Sequence, residues 1–403
     1  MKNSAQKPDG YRWAVMIAFM AVIAINQLLW ITYAPVTSDA ANFYHVDTLS
    51  IGLLSMSFMI VFILVSIPAS WIIDRFGIRI AVGLGAVLTG VFGFVRGLAG
   101  NNYSFALFAQ IMIAVGQPFI LNAITSVAAR WFPPDERATA SGLGSLSIYL
   151  GILAGMLVTP LLATRFGISR MLFIYGILSL IPAVTFFIFI KEHPAGTQPS
   201  REPEVRSLMF DGLRDTVKNR YFLFLLAIFF VGLGAFNAVT TWIEDLLKPR
   251  GFSIAQAGVT GGMMIIGGIV GAVVFPTLSD KARKRVPFLL ASILGATLGL
   301  AGLTYATSYF LLLASAFVLG FFLLSAGPIG FQYGAEITRP VPEGTSNGLL
   351  LLMGQISGIV FIFGMEMFKS PETGSMTASL NVLLGLMVAA MLLCTQLKEP
   401  DSI

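Results

Sequence analysis

Six side chains that could bind a small molecule lie inside long apolar runs of this sequence. They are Asn26, Gln27, Trp30, Gln117, Asn237 and Gln355. Amides donate and accept hydrogen bonds, and the face of an indole attracts a cation. No paired nucleophile and base, metal-binding cluster or phosphate-binding glycine loop accompanies them at the same depth. The residue types therefore indicate non-covalent binding rather than catalysis.

Each of these residues also has a purely structural alternative. An Asn or Gln in the middle of a membrane helix often joins two helices by a hydrogen bond, and Trp is common near membrane interfaces. We favour a cavity for Gln117 and Gln355 because the polar positions come from both parts of the chain at one depth. We favour binding for Trp30 because Asn26 lies one turn away on the same helical face.

Charged residues are missing from the centres of the apolar runs. Lys and Arg are absent there, so a substrate with several negative charges is disfavoured. Asp39, Glu244, Asp245 and Glu366 lie toward the predicted outer ends, and Glu336 lies toward the inner end. We expect these acids to form helix-end pairs or mouth charges rather than a proton relay.

The amino-acid composition indicates that the apolar runs containing these residues are membrane helices. Of 403 residues, 56% are hydrophobic and only 11% are charged, whereas a soluble chain is about one quarter charged. A membrane-spanning helix needs about 20 apolar residues. The runs cover about 12–37, 49–73, 78–99, 103–131, 136–162, 170–190, 220–247, 254–278, 286–306, 309–336, 343–368 and 375–397. The sequence therefore predicts an all-α membrane protein with twelve transmembrane helices.

The distribution of basic residues predicts the orientation. With a cytoplasmic N-terminus, all but six of the 25 Lys and Arg lie on the inside. The six expected on the outside are Arg96, Arg165, Arg170, Lys248, Arg250 and Lys369. This asymmetry follows the positive-inside rule. The net charge of +5 therefore needs no nucleic-acid partner, and the basic residues face an anionic lipid surface. We expect a multi-pass protein of the cytoplasmic membrane with both termini cytoplasmic.

A charged loop occurs twice after a long apolar run. The first copy reads SWIIDRFGIR and contains Asp74, Arg75 and Arg79. The second copy reads TLSDKARKR and contains Asp280, Lys281 and Arg285. In both, an acid precedes bases by one and five residues, so each can hold neighbouring helix ends through charge-assisted pairs. We call these loops the first and second latch.

The repeat of the latch divides the chain into two related halves. We expect an N-terminal six-helix bundle at 1–190, a cytoplasmic linker at 191–219 and a C-terminal six-helix bundle at 220–403. The helix ends RWFPPDERATASGL at 130–143 and EITRPVPEGTSNGL at 336–349 extend the repeat. The two bundles should be pseudo-symmetric.

Two six-helix halves, two latches and a long central connector resemble the major facilitator superfamily. The first latch departs from the usual pattern by having Ser70 where Gly is typical. The second has Ala282 in place of the loop glycine that corresponds to Gly77. Strings at 26–59, 116–132 and 328–350 resemble the carriers related to the feline leukaemia virus subgroup C receptor; the last, PIGFQYGAEITRPVPEGTSNGLL, is the most specific.

That resemblance implies a cavity for choline or ethanolamine. In the family the cavity uses a Trp and an Asn of helix 1, a Gln of helix 4, a Tyr of helix 7 and a Gln of helix 11. These positions fall on Trp30, Asn26, Gln117, Asn237 and Gln355, so Asn237 replaces the Tyr. An incomplete aromatic cage leaves room for a smaller primary amine or a neutral polar solute. Haem finds no cavity His or Cys to ligate its iron.

We therefore expect a secondary transporter that moves a small organic amine or cation by alternating access. A proton-coupled carrier of a drug-like compound or weak organic acid is the alternative, and a non-transporting receptor or sensor is the alternative from another class. An enzyme is not expected, nor is a cofactor or metal. The expected partners are the small-molecule substrate and membrane lipid, and the expected oligomeric state is a monomer.

Overall fold

The computed structural model describes residues 10–133, 135–190, 218–341 and 343–400. All regular elements in these ranges are helices. They are α1 (Tyr11–Ile31), a 3₁₀ turn (Ala34–Val36), α2 (Thr37–Tyr44), α3 (Thr48–Gly97), α4 (Tyr103–Leu121), α5 (Ile124–Trp131), α6 (Arg137–Phe189), α7 (Arg220–Thr241), α8 (Ile243–Leu247), a 3₁₀ turn (Lys248–Arg250), α9 (Ile254–Ala282), α10 (Val286–Tyr305), α11 (Tyr309–Ile337), α12 (Glu343–Met367) and α13 (Thr377–Cys394). The predicted linker, 191–219, lies outside the described residues except for its last two.

Two helices are long enough to cross a membrane twice. α3 has 50 residues and α6 has 53, and each is broken by a glycine with non-helical backbone angles. The φ angles are 86° at Gly77 and 79° at Gly167, values that favour glycine because it has no Cβ. The described residues contain 10 helical segments that are long and apolar enough to span a membrane. Counted on either side of Gly77 and Gly167, they give the predicted twelve, and the all-α membrane fold is confirmed.

The second latch makes its turn without a glycine. Ala282 is the last residue of α9, and the left-handed conformation falls on the next residue, Arg283, with φ 51°. The Arg283 N–H returns to the carbonyl oxygens of Ser279 and Asp280 and so closes the helix end. Ala282 is therefore compatible with this loop because it keeps a helical backbone.

The chain forms two compact units. The first contains Met1–Trp30, Leu64–Gly155 and Arg165–Arg201. The second contains Ile31–Ile63, Met156–Thr164 and Glu202–Ile403. The second unit therefore includes the predicted outer ends of three N-terminal spans together with the C-terminal helices.

A buried apolar cluster forms the core of the first unit. Phe19 and Ile23 of α1, Val82 of α3, Ile120 of α4 and Phe186 of α6 are all fully buried in it. Apolar side chains do not drive helices together in lipid as they do in water, so this packing stabilises the unit chiefly through close contact. The cluster fixes α1 against α3 and α4, and α1 and α4 carry the predicted binding residues of this unit.

Glycines bring α9 and α11 into close backbone contact in the second unit. A methyl group added at Gly267 or Gly271 of α9 would collide with the carbonyl oxygen of Phe317 or Phe321 of α11, respectively. Gly320 of α11 lies in the same way against the Met264 carbonyl of α9. Small residues at such crossings let membrane helices approach closely.

We expect Gly271→Ala to lower the melting temperature and the yield of folded protein, because the helices must separate to admit the methyl group. Gly385→Ala is the matched control: it also lies in a membrane helix, but a methyl group there meets no atom within 4 Å. Alanine is the better helix former by about 1 kcal/mol, so the control should melt at the same or a higher temperature. Equal melting temperatures for the two variants would contradict this close crossing.

Candidate functional site

The predicted binding residues are divided between the two units. Asn26, Trp30 and Gln117 belong to the first unit, and Asn237 and Gln355 belong to the second. Their hydrogen bonds separate them into two kinds: amides that are already bonded to neighbouring helices and amides that are not.

Asn26 is bonded within the first unit. It is fully buried, and its Nδ2 donates to Thr89 Oγ1 of α3 at 3.0 Å and to the Ile113 carbonyl of α4 at 3.5 Å. Gln27 Nε2 donates to Asn26 Oδ1 at 3.3 Å. Asn26 therefore joins α1 to α3 and α4, which is the structural alternative considered for it. Contact between Asn26 and a substrate stays a prediction.

Arg96 is a functional candidate that the sequence did not reveal. It was expected on the predicted outer side, but its side chain is fully buried in the first unit. Its Nη1 donates to the Leu29 carbonyl at 2.9 Å and to Gln110 Oε1 at 2.6 Å. Leu29 precedes Trp30, so these bonds fix the backbone that carries the indole. The sequence does contain one feature that could have indicated this pairing: Gln110 is a polar residue near the same predicted membrane end as Arg96.

Gln117 and Trp30 are both buried in the first unit. Gln117 makes no side-chain hydrogen bond to any residue that the structure describes, and Pro118 follows it inside α4. Its amide atoms are not among the fully buried polar atoms that lack a partner, so they reach accessible space where water or a solute can bond to them. The structure thus distinguishes Gln117 from the bonded Asn26 in the same unit.

In the second unit Asn237 contacts α12, the helix that carries Gln355. Asn237 Nδ2 of α7 donates to the Gly354 carbonyl at 3.1 Å, directly before Gln355. A methyl group at Gly358 would lie 2.9 Å from Asn237 Nδ2, so Asn237 packs between two glycines. Gln355 is partly exposed, and within the described ranges its side chain makes no hydrogen bond.

The second latch is a network centred on Arg285. Its Nη2 lies 3.1 Å from Glu336 Oε1, and its Nη1 also pairs with Asp280. The Glu336 side chain is 6% exposed and that of Asp280 is 66% exposed, so Glu336 is the buried partner. The Glu399 carboxylate accepts from the Arg285 and Val286 N–H groups at 3.0 and 2.9 Å. Glu336 and Glu399 are latch residues that the sequence analysis missed.

Lys281 is exposed, as are the charged residues of the first latch, Asp74, Arg75 and Arg79. The Arg75 guanidinium lies 5.1 Å from the centre of the Trp71 ring, a cation–π distance.

In the first latch the signs of the paired charges are reversed: the loop supplies the acid and a neighbouring helix supplies the base. Asp74 interacts electrostatically with Arg130 near the end of α5. Arg130 and Glu336 open the two matching strings of the repeat, so a base in one half stands where an acid stands in the other. Ser70, found where Gly is typical, accepts a hydrogen bond from Asn122 Nδ2 at 3.0 Å, which ties α3 to the junction of α4 and α5.

Comparison with known proteins agrees with this architecture. Residues 15–362 match the Major Facilitator Superfamily. The choline/ethanolamine transporter FLVCR2 of Rattus norvegicus is 28% identical over 382 residues, which cover 89% of this chain and 70% of that protein. Solute carrier family 49 member A3 of Xenopus tropicalis is 28% identical over 380 residues, covering 89% of this chain and 78% of that protein.

Two solved structures show the same fold. A bacterial homologue of the human lysosomal transporter Spinster, in an inward-facing and unoccupied conformation, has a TM-score of 0.72 at 16% identity and covers 96% of both chains. A D-xylose–proton symporter has a TM-score of 0.73 at 14% identity and covers 97% of this chain and 98% of its own. Since the family match runs through most of the described helices, this chain belongs to the Major Facilitator Superfamily and is a membrane transporter rather than an enzyme.

Proposed function

We propose that this transporter moves a small organic amine or cation, of the choline or ethanolamine kind, by alternating access. The observation that carries the proposal is the contrast among its amides. Asn26 and Asn237 are bonded to neighbouring helices, whereas Gln117 and Gln355 make no side-chain bond to the described residues. Unbonded amides in membrane helices are free to accept a substrate hydroxyl or ammonium.

Relatives named choline/ethanolamine transporters support this substrate class, at 28% identity over most of the chain. Trp30 supplies the aromatic face, and its backbone is held through Leu29 by Arg96. An aromatic face with amide oxygens can hold a monovalent cation without a formal counter-charge. Asn237, bonded to Gly354 where the resembling family has Tyr, reduces the aromatic cage. We therefore place ethanolamine ahead of choline.

The alternative substrate is a weak organic acid. A buried Arg96 is the one observation in its favour, because a guanidinium pairs well with a carboxylate. However, Arg96 Nη1 already donates to Leu29 and Gln110. The amine is therefore the better-supported substrate, and a ligand screen separates the two.

We expect ethanolamine and choline to raise the melting temperature of the purified protein, since a ligand that binds only the folded state stabilises it by mass action. Trp30→Ala should weaken amine binding by about 1–2 kcal/mol, roughly tenfold in affinity, and Trp30→Phe should retain part of the binding. Titration calorimetry measures the affinities. Stabilisation by carboxylates alone would refute the amine hypothesis.

The next prediction separates substrate contact from bonding between helices. Gln117→Ala and Gln355→Ala should weaken ligand binding and leave the unliganded melting temperature nearly unchanged, because neither side chain loses a protein partner. Asn26→Ala is the matched comparison. It should lower the melting temperature, because Asn26 bonds to Thr89 and Ile113. If the Gln variants melt early and bind normally, they only join helices and the site is misplaced.

We further propose that the latches hold the cytoplasmic helix ends during transport. Glu336→Gln should destabilise the protein by about 2 kcal/mol or more, because it leaves the buried Arg285 guanidinium with an exposed partner. Asp280→Asn should cost less than about 1 kcal/mol, because Asp280 is mostly exposed. Both should slow transport in proteoliposomes. Equal melting temperatures and unchanged rates for the two variants would contradict this role.

A further inference from the structure

A tightly closed junction lies within the second unit, at the predicted outer end. There the segments Ile31–Ile63 and Met156–Thr164 pack with the C-terminal helices. A methyl group at Gly52 of α3 would lie 2.7 Å from the Trp242 ring, which is itself fully buried between α7 and α8. Gly258 of α9 meets the Met156 carbonyl in the same way. These contacts join N-terminal to C-terminal segments without room for a further carbon atom.

Four charged side chains and one hydroxyl of this junction form what we call the gate cluster: Glu244, Asp245, Glu366, Lys369 and Thr48. Lys369 Nζ lies 3.0 Å from Asp245 Oδ1 and 3.3 Å from Glu366 Oε1, and it donates to Thr48 Oγ1 at 3.0 Å. Thr48 Oγ1 in turn donates to Glu366 Oε1 at 2.8 Å. The cluster therefore binds the start of α3 to the end of α12.

Glu244 makes a second link between the two parts of the chain. It is almost completely buried, and its Oε2 accepts the Ser38 N–H of α2 at 2.7 Å. The nearest cation to its Oε1 is Lys248 Nζ at 3.7 Å, on a side chain that is 53% exposed. If α2 moved away from α8, Glu244 would lose this bond and become hydrated.

The gate cluster has more negative than positive buried charge. Lys369 pairs with Asp245 and Glu366, whereas the cation nearest to Glu244 is the half-exposed Lys248. Among the described residues, none donates a well-formed hydrogen bond to the buried atoms Glu244 Oε1 and Asp245 Oδ2, although the Thr37 hydroxyl lies near the Asp245 carboxylate. A buried carboxylate oxygen without a donor is costly, and a proton on that oxygen removes the charge.

The further cation next to α8 is Arg250, in the 3₁₀ turn that follows it, but its guanidinium donates to the Leu303 and Ala306 carbonyls instead of to these acids. Asp39 of α2 is partly buried and adds another acid nearby. α9, which also packs against α8, carries no ionisable side chain before Asp280 near its other end. The excess of acid is therefore a property of the whole junction as far as the structure describes it.

The pKa values of this helix shift in the direction that geometry suggests. α8 lies beyond the membrane-spanning helix that ends at Thr241. Burial and the neighbouring Asp245 charge raise the pKa of the Glu244 carboxyl. Burial also raises the pKa of Asp245, in spite of Lys369. Burial opposes the charge on Lys369, but Asp245 and Glu366 outweigh it and raise its pKa, so the lysine stays protonated.

We propose that Glu244 and Asp245 are a proton-binding site built into the outer gate, which takes up a proton when the N-terminal segments close over it and releases the proton when they part. This proposal rests on alternating access, which is part of the proposed function. It does not depend on the identity of the substrate. Opening of the gate exposes both carboxylates to water, where the ionised form is stable.

The sign of the pH effect follows from this linkage. A carboxyl with a higher pKa in the closed state holds its proton more tightly there than in the open state. The closed state is therefore favoured below the raised pKa, and this advantage is lost as the pH rises through it. For one proton, the ratio of open to closed molecules can rise by at most about tenfold per pH unit.

The test uses purified protein without any substrate, so its result does not depend on the amine hypothesis. In a Cys394→Ala background, Met156→Cys places a reporter at a fully buried position of the junction. Asn101→Cys, in an exposed loop, serves as the reference reporter. The ratio of maleimide labelling rates at the two positions, measured from about pH 5 to pH 8.5, removes the pH dependence of thiol reactivity.

We expect this ratio to rise several-fold with pH in the parent protein. In Glu244→Gln/Asp245→Asn it should stay low at every pH, because neutral amides imitate the protonated pair. Gly52→Ala should raise the ratio at every pH, because its methyl group collides with Trp242 and forces the junction apart. A ratio in the parent that does not change with pH would overturn the proposal, as would a full pH response in the double variant.

Discussion

The structure depends on one constraint: inside a bilayer no water is available to satisfy a polar group, so the protein must supply each partner itself. Helices meet this demand for the backbone. Among side chains, Asn26 and Asn237 meet it by bonding to neighbouring helices. Gln117 and Gln355 do not meet it within the described residues, and this exception is what supports the binding role proposed for them.

The two membrane ends of the second unit handle charge in different ways. At the latch, the buried Arg285 guanidinium pairs with Glu336 and Asp280, and the Arg285 main-chain N–H donates to the Glu399 carboxylate. At the gate cluster, the acids themselves are buried and Lys369 is the near cation. Because Asp280 is exposed, water stabilises its ionised carboxylate. Burial of Glu244 and Asp245 instead raises the free energy of their ionised forms.

Hydropathy was sufficient to predict the fold, because apolar length alone decides which segments can span a bilayer. The kinks at Gly77 and Gly167 explain why two helices cover four predicted spans. Sequence patterns did not reveal the partners of buried charges. Arg96 was assigned to the outer side from its position along a span. That position does not show which way a side chain turns, so the burial of Arg96 could not be predicted. The pairing of Thr48 with Glu366 joins residues 318 positions apart, a separation over which local patterns carry no information.

The composition of the gate cluster is better explained by conformational control than by stability. A buried ion pair adds little net stability, because desolvation offsets most of the Coulomb attraction. Here Lys369 faces two acids and Glu244 has only the half-exposed Lys248 at 3.7 Å, so the stabilisation is smaller still. Apolar residues of similar volume would close this junction more firmly. Acids at these positions make the closed state conditional on a proton, which suits a junction that must open in every transport cycle.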